Sequence, residues 1–135
     1  MTQLRIKDAA SLLGVSDDTV RRWVDTGALP HTTDEHGRMV IEGRALAEFA
    51  KAQATPSPDP SPIGRSARNR FVGLVTEVLS DTVMSQVEIQ CGPYRVVSLM
   101  STEAVRELGL EPGKVAVAVV KATTVIVETP ERNKE

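Results

Sequence analysis

The segment Gly64-Arg65-Ser66-Ala67-Arg68-Asn69-Arg70 places three guanidinium groups, a hydroxyl and an amide immediately ahead of a β-branched run. Such a set offers forked donors and positive charge, which suits an anion; standing alone it is only the basic end of a linker. A second set lies near the N-terminus. Ser16, Thr19, Arg21 and Arg22 fall on or beside a helix predicted to follow a tight glycine turn, with Asp18 on the same exposed side. Arginine can bond phosphates and base edges alike through its fork. The plainer alternative pairs Arg21 and Arg22 with Asp17, Asp18 and Asp25 on a solvated helix, where such pairs contribute little. No nucleophile–base–acid order, phosphate-cradling glycine loop or acid/base carboxylate pair is present, so no enzyme is expected. His31 and His36 share one loop without supporting carboxylates or cysteines, and no metal site is expected there.

These groups need elements to position them. In the first half, residues 4–6 read as an extended lead-in, and residues 7–13, with Ala9, Ala10, Leu12 and Leu13, as a helix ending at Gly14. Ser16 is placed as an N-cap, with Asp17 and Asp18 in the first turn where the helix dipole favours acids. Val20, Trp23 and Val24 then recur at helical spacing up to Gly27, which makes Trp23 a core residue. Asp34-Glu35-His36-Gly37 is turn chemistry between two short extended stretches, and residues 42–50 read as a third helix. From Lys51 to Gly64, prolines 56, 58, 60 and 62 alternate, as in a semi-rigid extended linker.

The second half reads as β structure. Residues 71–79, 85–90, 94–100, 115–120 and 124–127 are β-branched or alternating runs bounded by turn residues. A short helix capped by Ser101 separates the third from the fourth, and Glu111-Pro112-Gly113-Lys114 forms a turn. Five strands with a helix after the third make the pattern of an OB-like closed barrel. The expected class is α+β: a small N-terminal winged helix-turn-helix plus a C-terminal five-stranded barrel. Domains are expected at 1–50 and 65–130, joined by a 51–64 linker and followed by a 131–135 tail.

Composition narrows the functions. The formal net charge is −2, and residues 1–50 carry six Lys/Arg against eight Asp/Glu, so any DNA binding rests on local placement rather than bulk charge. Aromatic residues are 3% of the chain, too few for recognition by stacking on single strands. No apolar run reaches the roughly 18 residues of a membrane span, and the N-terminus does not open as a signal peptide. The single cysteine, Cys91, cannot form an internal disulfide, which fits a reducing cytoplasm and a packing role.

The run from Ser16 to Pro30, with Thr19-Val20-Arg21-Arg22-Trp23 and Thr26-Gly27-Ala28-Leu29-Pro30, resembles the winged helix-turn-helix of MerR-type and excisionase-type DNA-binding proteins over about residues 4–50. The resemblance implies that Ser16, Thr19, Arg21 and Arg22 contact phosphates or base edges of double-stranded DNA, and that the 31–38 turn, ending in Arg38, is a wing on the backbone. Asp34 and Glu35 depart from the more basic family wing.

Ser66-Ala67-Arg68-Asn69, then Gly73, then residues 108–114, then Val120-Lys121-Ala122-Thr123-Thr124, resemble the molybdate-binding Mop domain of the TOBE group over about residues 65–128. Molybdate is a tetrahedral dianion whose four oxygens need converging hydroxyls, backbone N–H groups and fixed positive charge. By resemblance Ser66, Arg68, Ser101 and Lys121 are ligand residues, helped by the N–H groups of Ala67 and Ala122. Ala104 stands where the family often carries a second hydroxyl. The plainer alternative makes Arg68 and Asn69 a clamp between subunits and Lys121 a solvated strand residue.

In the family such sites are shared between neighbouring subunits or repeats, so a homo-oligomer is implied, a hexamer ahead of a dimer. The expected function is a molybdate-binding transcriptional regulator, with tungstate a further candidate ligand. The alternative is a molybdate or tungstate storage or homeostasis protein whose helical half mediates interactions.

Overall fold

Strand β1 (Gln3–Arg5) runs directly into helix α1 (Ile6–Leu13), which stops where Gly14 turns left-handed at φ 69°. The Gly14 N–H closes on the carbonyls of Ala10 and Ser11, satisfying helix-end acceptors that a side-chain-bearing residue would reach only under strain. Helix α2 (Asp17–Asp25) begins at Ser16, whose Oγ accepts the Thr19 N–H at 3.1 Å. Strands β2 (Thr32–Thr33) and β3 (Met39–Glu42) form a hairpin, and β1 adds to its other side in the antiparallel order β1-β3-β2. Helix α3 (Gly43–Gln53) closes this part of the chain.

The computed structural model describes residues 2–55, 58–60 and 68–130. They fall into two compact units, Met1–Thr55 and Pro56–Glu135. In the first, Ile6, Ala9 and Ala10 of α1, Val20 and Val24 of α2, Leu29, Ile41 of β3 and Leu46 of α3 share one core. Trp23 packs against its edge with its ring 4.8 Å from that of Phe49. Helix α3 runs three residues past Ala50, into the stretch read as linker. Lys51, Ala52 and Gln53 are good helix formers, and the first backbone restriction comes only ahead of Pro56.

The second unit is a four-stranded antiparallel sheet in the order β6-β5-β4-β7, from β4 (Asn69–Ser80), β5 (Met84–Cys91), β6 (Tyr94–Ser101) and β7 (Val115–Val120). Helix α4 (Thr102–Leu108) lies between β6 and β7 in sequence. Alternate residues of β5, Ser85, Val87, Ile89 and Cys91, point inward and are buried. A bulge in β4 shifts the register between Val75 and Glu77, so the inward positions change from Val75 to Val78, three residues on. Val96, Ser98 and Met100 of β6 and Ala116, Ala118 and Val120 of β7 line one apolar cavity. The sheet therefore curls until its two edge strands face a common space, without a ladder between them.

The fifth expected strand, over residues 124–127, is not formed. Residues Ala122–Thr124 instead make a 3-10 turn held by the Thr124 N–H and Oγ1, which donate to the Lys121 carbonyl at 2.9 and 2.8 Å. This turns the chain off the line of β7, and Ile126 and Val127 are left 85% and 86% exposed. β-Branched composition expresses fitness for a pleated, half-buried surface, and it does not make a strand where no neighbour offers a ladder.

Among the described residues, three carboxylates are held below their ordinary values. Asp34 accepts the backbone N–H groups of Arg38 and His36 and faces the Arg38 guanidinium. Asp81 accepts the N–H groups of Met84 and Val83 in the β4–β5 turn. Glu88 accepts the Thr76 hydroxyl at 2.6 Å and pairs with Arg95. A depressed folded-state value means stability that is complete above the unfolded carboxylate values, at about pH 4, and is lost as pH falls through the folded ones. The midpoint of thermal unfolding should stay level from pH 7 to 5 and fall below about pH 4. A midpoint unchanged at pH 2.5 would show that these bonds do not survive in solution.

Candidate functional site

Two clusters of the sequence-derived candidates can be located, one in each unit. In the helical unit, Ser16 Oγ lies 2.9 Å from Thr19 Oγ1, and Arg22 Nη2 donates to Thr19 Oγ1 at 3.4 Å. Ser16, Thr19 and Arg22 thus share one face of α2. Arg21, one position along and so about 100° around the helix, turns to another. It lines a surface cleft together with Arg38, and the same cleft takes in Arg5 and Lys7 along with Ile6, Asp8, Asp17 and Met39. Among the described residues neither Arg21 nor Arg22 is ion-paired with Asp17, Asp18 or Asp25. Arg38 does have a partner, Asp34, at 3.3 Å across the hairpin turn.

The participation of Arg5 and Lys7 was not found from the sequence. Their signal is positional: Arg5 sits opposite Val40 in the β1–β3 ladder, two residues from Arg38, and Lys7 follows in the first turn of α1.

In the sheet unit, Arg68 immediately precedes β4 and Lys121 immediately follows β7. The ladder between these strands pairs Asn69 with Val120, so Arg68 and Lys121 stand one rung beyond, at the ends of neighbouring strands of the sheet. Both are exposed, and Ala122 opens the turn beside them. Residues 53 apart in sequence are thereby brought to one corner. Ser66 and Ala67 lie outside the described residues. Arg70 is committed elsewhere, its Nε bonded to Asp59 at 2.7 Å.

Ser101 is at the other end. It pairs with Met84 at the start of β5, level with the end of β4, where Ser80 pairs with Ser85. Its Oγ accepts the Ala104 N–H at 3.1 Å as the N-cap of α4, leaving the hydroxyl proton free to donate outward. Arg68 and Lys121 therefore occupy the opposite end of β4 from Ser101, and a single chain does not bring all three to one anion.

Thr102, beside Ser101, is buried and spoken for. Its Oγ1 donates to the Asp81 carbonyl at 2.8 Å and contacts Ser85 Oγ at 2.8 Å, which in turn lies 2.7 Å from Ser80 Oγ. Because Thr102 has one proton and gives it to Asp81, Ser85 must donate to Thr102 and Ser80 to Ser85. This one-way relay pins α4 to the β4–β5 turn and leaves Thr102 no hydroxyl for a ligand. Thr102→Val keeps the shape but takes the donor from the Asp81 carbonyl and the acceptor from Ser85, and should cost roughly 1–3 kcal/mol of unfolding free energy by denaturant titration. Ser80→Ala, at the exposed head of the relay, should cost far less; equal losses would contradict the direction assigned.

Comparison with known proteins follows this division. Residues 65–127 match the profile of the TOBE domain, and residues 4–54 match that of a helix-turn-helix domain. A probable molybdenum-pterin-binding protein of Haemophilus influenzae is 44% identical over 63 residues, spanning 46% of this chain and 91% of that protein. The transcriptional repressor DcmR of Methylorubrum extorquens is 35% identical over 78 residues, 53% of this chain and 29% of the repressor. The molybdenum transport protein ModE of Herbaspirillum seropedicae is 34% identical over 65 residues, 47% of this chain and 24% of that protein. No helix among the described residues is long and apolar enough to cross a membrane. The chain belongs to the TOBE-domain family and carries a helix-turn-helix domain ahead of its TOBE domain.

Proposed function

We propose that this chain is a molybdate-binding, DNA-binding transcriptional regulator in which the TOBE unit takes the oxyanion at contacts between subunits. The observation that carries this reading is the presence of both domains in one chain, together with relatives named for molybdenum binding and for repression. The oxyanion residues are Arg68 and Lys121, with Ser66 and the N–H groups of Ala67 and Ala122, completed by Ser101 of a neighbouring copy. The opposite placement of Arg68 and Ser101 along β4 supports a shared site. So do the exposed apolar side chains on the edge strands and beyond them, Leu99, Val119, Ile126 and Val127, which another copy would cover. The assembly is a homo-oligomer, a hexamer or failing that a dimer. In the helical unit Ser16, Thr19, Arg21, Arg22 and Arg38 face the duplex, the hairpin acting as its wing.

A ligand changes DNA affinity only by binding two arrangements of the protein unequally. The test is therefore double: calorimetric titration with molybdate, with sulfate and tungstate alongside, and duplex binding with and without molybdate. Molybdate binding accompanied by an altered duplex affinity supports the regulator. A storage or homeostasis role is the second reading, favoured by the near-complete coverage of the molybdenum-pterin-binding relative and by the excess of acidic residues in residues 1–50. Molybdate binding without any salt-dependent duplex binding would select it.

A further inference from the structure

Four of the six Lys/Arg in residues 1–50, namely Arg5, Lys7, Arg21 and Arg38, line one cleft, whereas only Asp8 and Asp17 of the eight acidic residues do. A segment that is acidic in sum is thus basic at one place. The four cations come from four different parts of the fold, β1, α1, α2 and the residue preceding β3. The β1–β3 ladder and the shared core of α1 and α2 hold them in fixed relation. All four are exposed, and no aromatic ring lines the cleft, so it is built to meet charge and not to stack a base. The Ser16–Thr19–Arg22 face, with its mixed hydroxyl and guanidinium donors, lies next to it around α2.

We propose that Arg5 and Lys7 join Arg21 and Arg38 in a phosphate-gripping cleft that supplies the sequence-independent part of double-stranded DNA binding. The inference rests on the DNA-binding reading and deepens it by assigning backbone contact to residues outside α2 and the wing, on β1 and the first turn of α1. Two phosphate contacts each release counterions, and each contributes about 0.9 to the slope of log affinity against log salt. The same contacts carry no base information, so their loss weakens binding equally on every sequence.

The experiment measures binding of the full chain to a random-sequence 30-base-pair duplex by fluorescence anisotropy across a series of salt concentrations. An Arg5→Gln/Lys7→Gln double variant should lower the salt slope by about 1.8. Arg44→Gln, which removes an exposed arginine of α3 outside the cleft, should leave the slope unchanged. Arg5→Lys/Lys7→Arg keeps both charges on the same backbone and should retain the wild-type slope, which separates charge from folding. A double Gln variant with the wild-type slope overturns this inference while the DNA-binding reading stands. So does an Arg44→Gln variant whose slope falls by about 0.9, the effect of one phosphate contact. Wild-type protein that binds the duplex at no salt concentration overturns the DNA-binding reading itself.

Discussion

Alanine at Arg68 or at Lys121 should weaken molybdate binding by about 100-fold or more, equivalent to about 2.7 kcal/mol. The two residues stand at adjacent strand ends, one rung beyond the Asn69–Val120 pair, and both are exposed positive charges at that corner. Exposed in the single chain, they would be desolvated once a neighbouring copy closes over the anion, and losing one partner of such a charge pair costs roughly 2–5 kcal/mol. Lys121→Arg should recover part of the affinity, since charge is kept while the donor geometry changes. Calorimetry on protein whose assembly state has been checked by light scattering reads the effect directly. Wild-type affinity in both alanine variants would remove these residues from the site, whereas no binding by correctly assembled wild-type protein would leave the β unit as an assembly module. If the site is shared, Ser101→Ala should lower affinity too, and the apparent affinity of the wild type should rise with protein concentration, as ligand and subunit association are then linked.

The largest stability effect is expected at Gly73. Built as alanine, its Cβ would overlap the Gln90 carbonyl oxygen and lie 2.7 Å from Cys91 Sγ. Neither neighbour can yield cheaply. Gln90 is backbone in an interior strand paired on both sides, and Cys91 is buried in the core with Val75, Val87 and Ile89. Gly73→Ala should cost about 3 kcal/mol, at the upper end of overpacking penalties. For a unit of this size that lowers the melting midpoint by about 12–24 °C. Scanning calorimetry should place the loss in the β unit's transition alone. An unchanged midpoint would show that β4 can shift off β5 at this point.

Local signals in the sequence carried much of the fold. Ser16 and Ser101 announce helix starts by their position ahead of periodic runs, and both prove to be N-caps bonded to the N–H three residues on. Gly14 marks a helix end just as locally, since glycine takes the left-handed φ of 69° without strain. The strand over residues 124–127 could not be judged locally, because whether Val125, Ile126 and Val127 pair depends on a neighbour that the sequence does not name. The bulge at Thr76 was invisible too. It trades a local alternation for a partner on β5, with the Thr76 hydroxyl meeting Glu88.

The candidate sites divide along the same line. Ser16, Thr19 and Arg22 recur at three-residue spacing, so helical periodicity alone places them together and turns Arg21 away from them. That Arg21 there meets Arg5, Lys7 and Arg38 follows from the β1–β3 ladder and the packing of α1 on α2, contacts between segments that composition cannot align. Arg68 and Lys121 were singled out by family resemblance; their physical proximity is a product of the β4–β7 register, which no spacing rule reveals.

The lone thiol has a practical consequence. Cys91 is 7% exposed, its Sγ is 3.7 Å from the Phe71 carbonyl oxygen, and burial pushes the thiol up from its ordinary value. Since the thiolate is the reactive species, alkylating reagents and oxidants at neutral pH should pass it by. The natural chain therefore behaves as a cysteine-free background. A cysteine introduced on the surface of each unit could carry a donor and an acceptor dye without first removing Cys91, and so report the distance between the units as ligand is added.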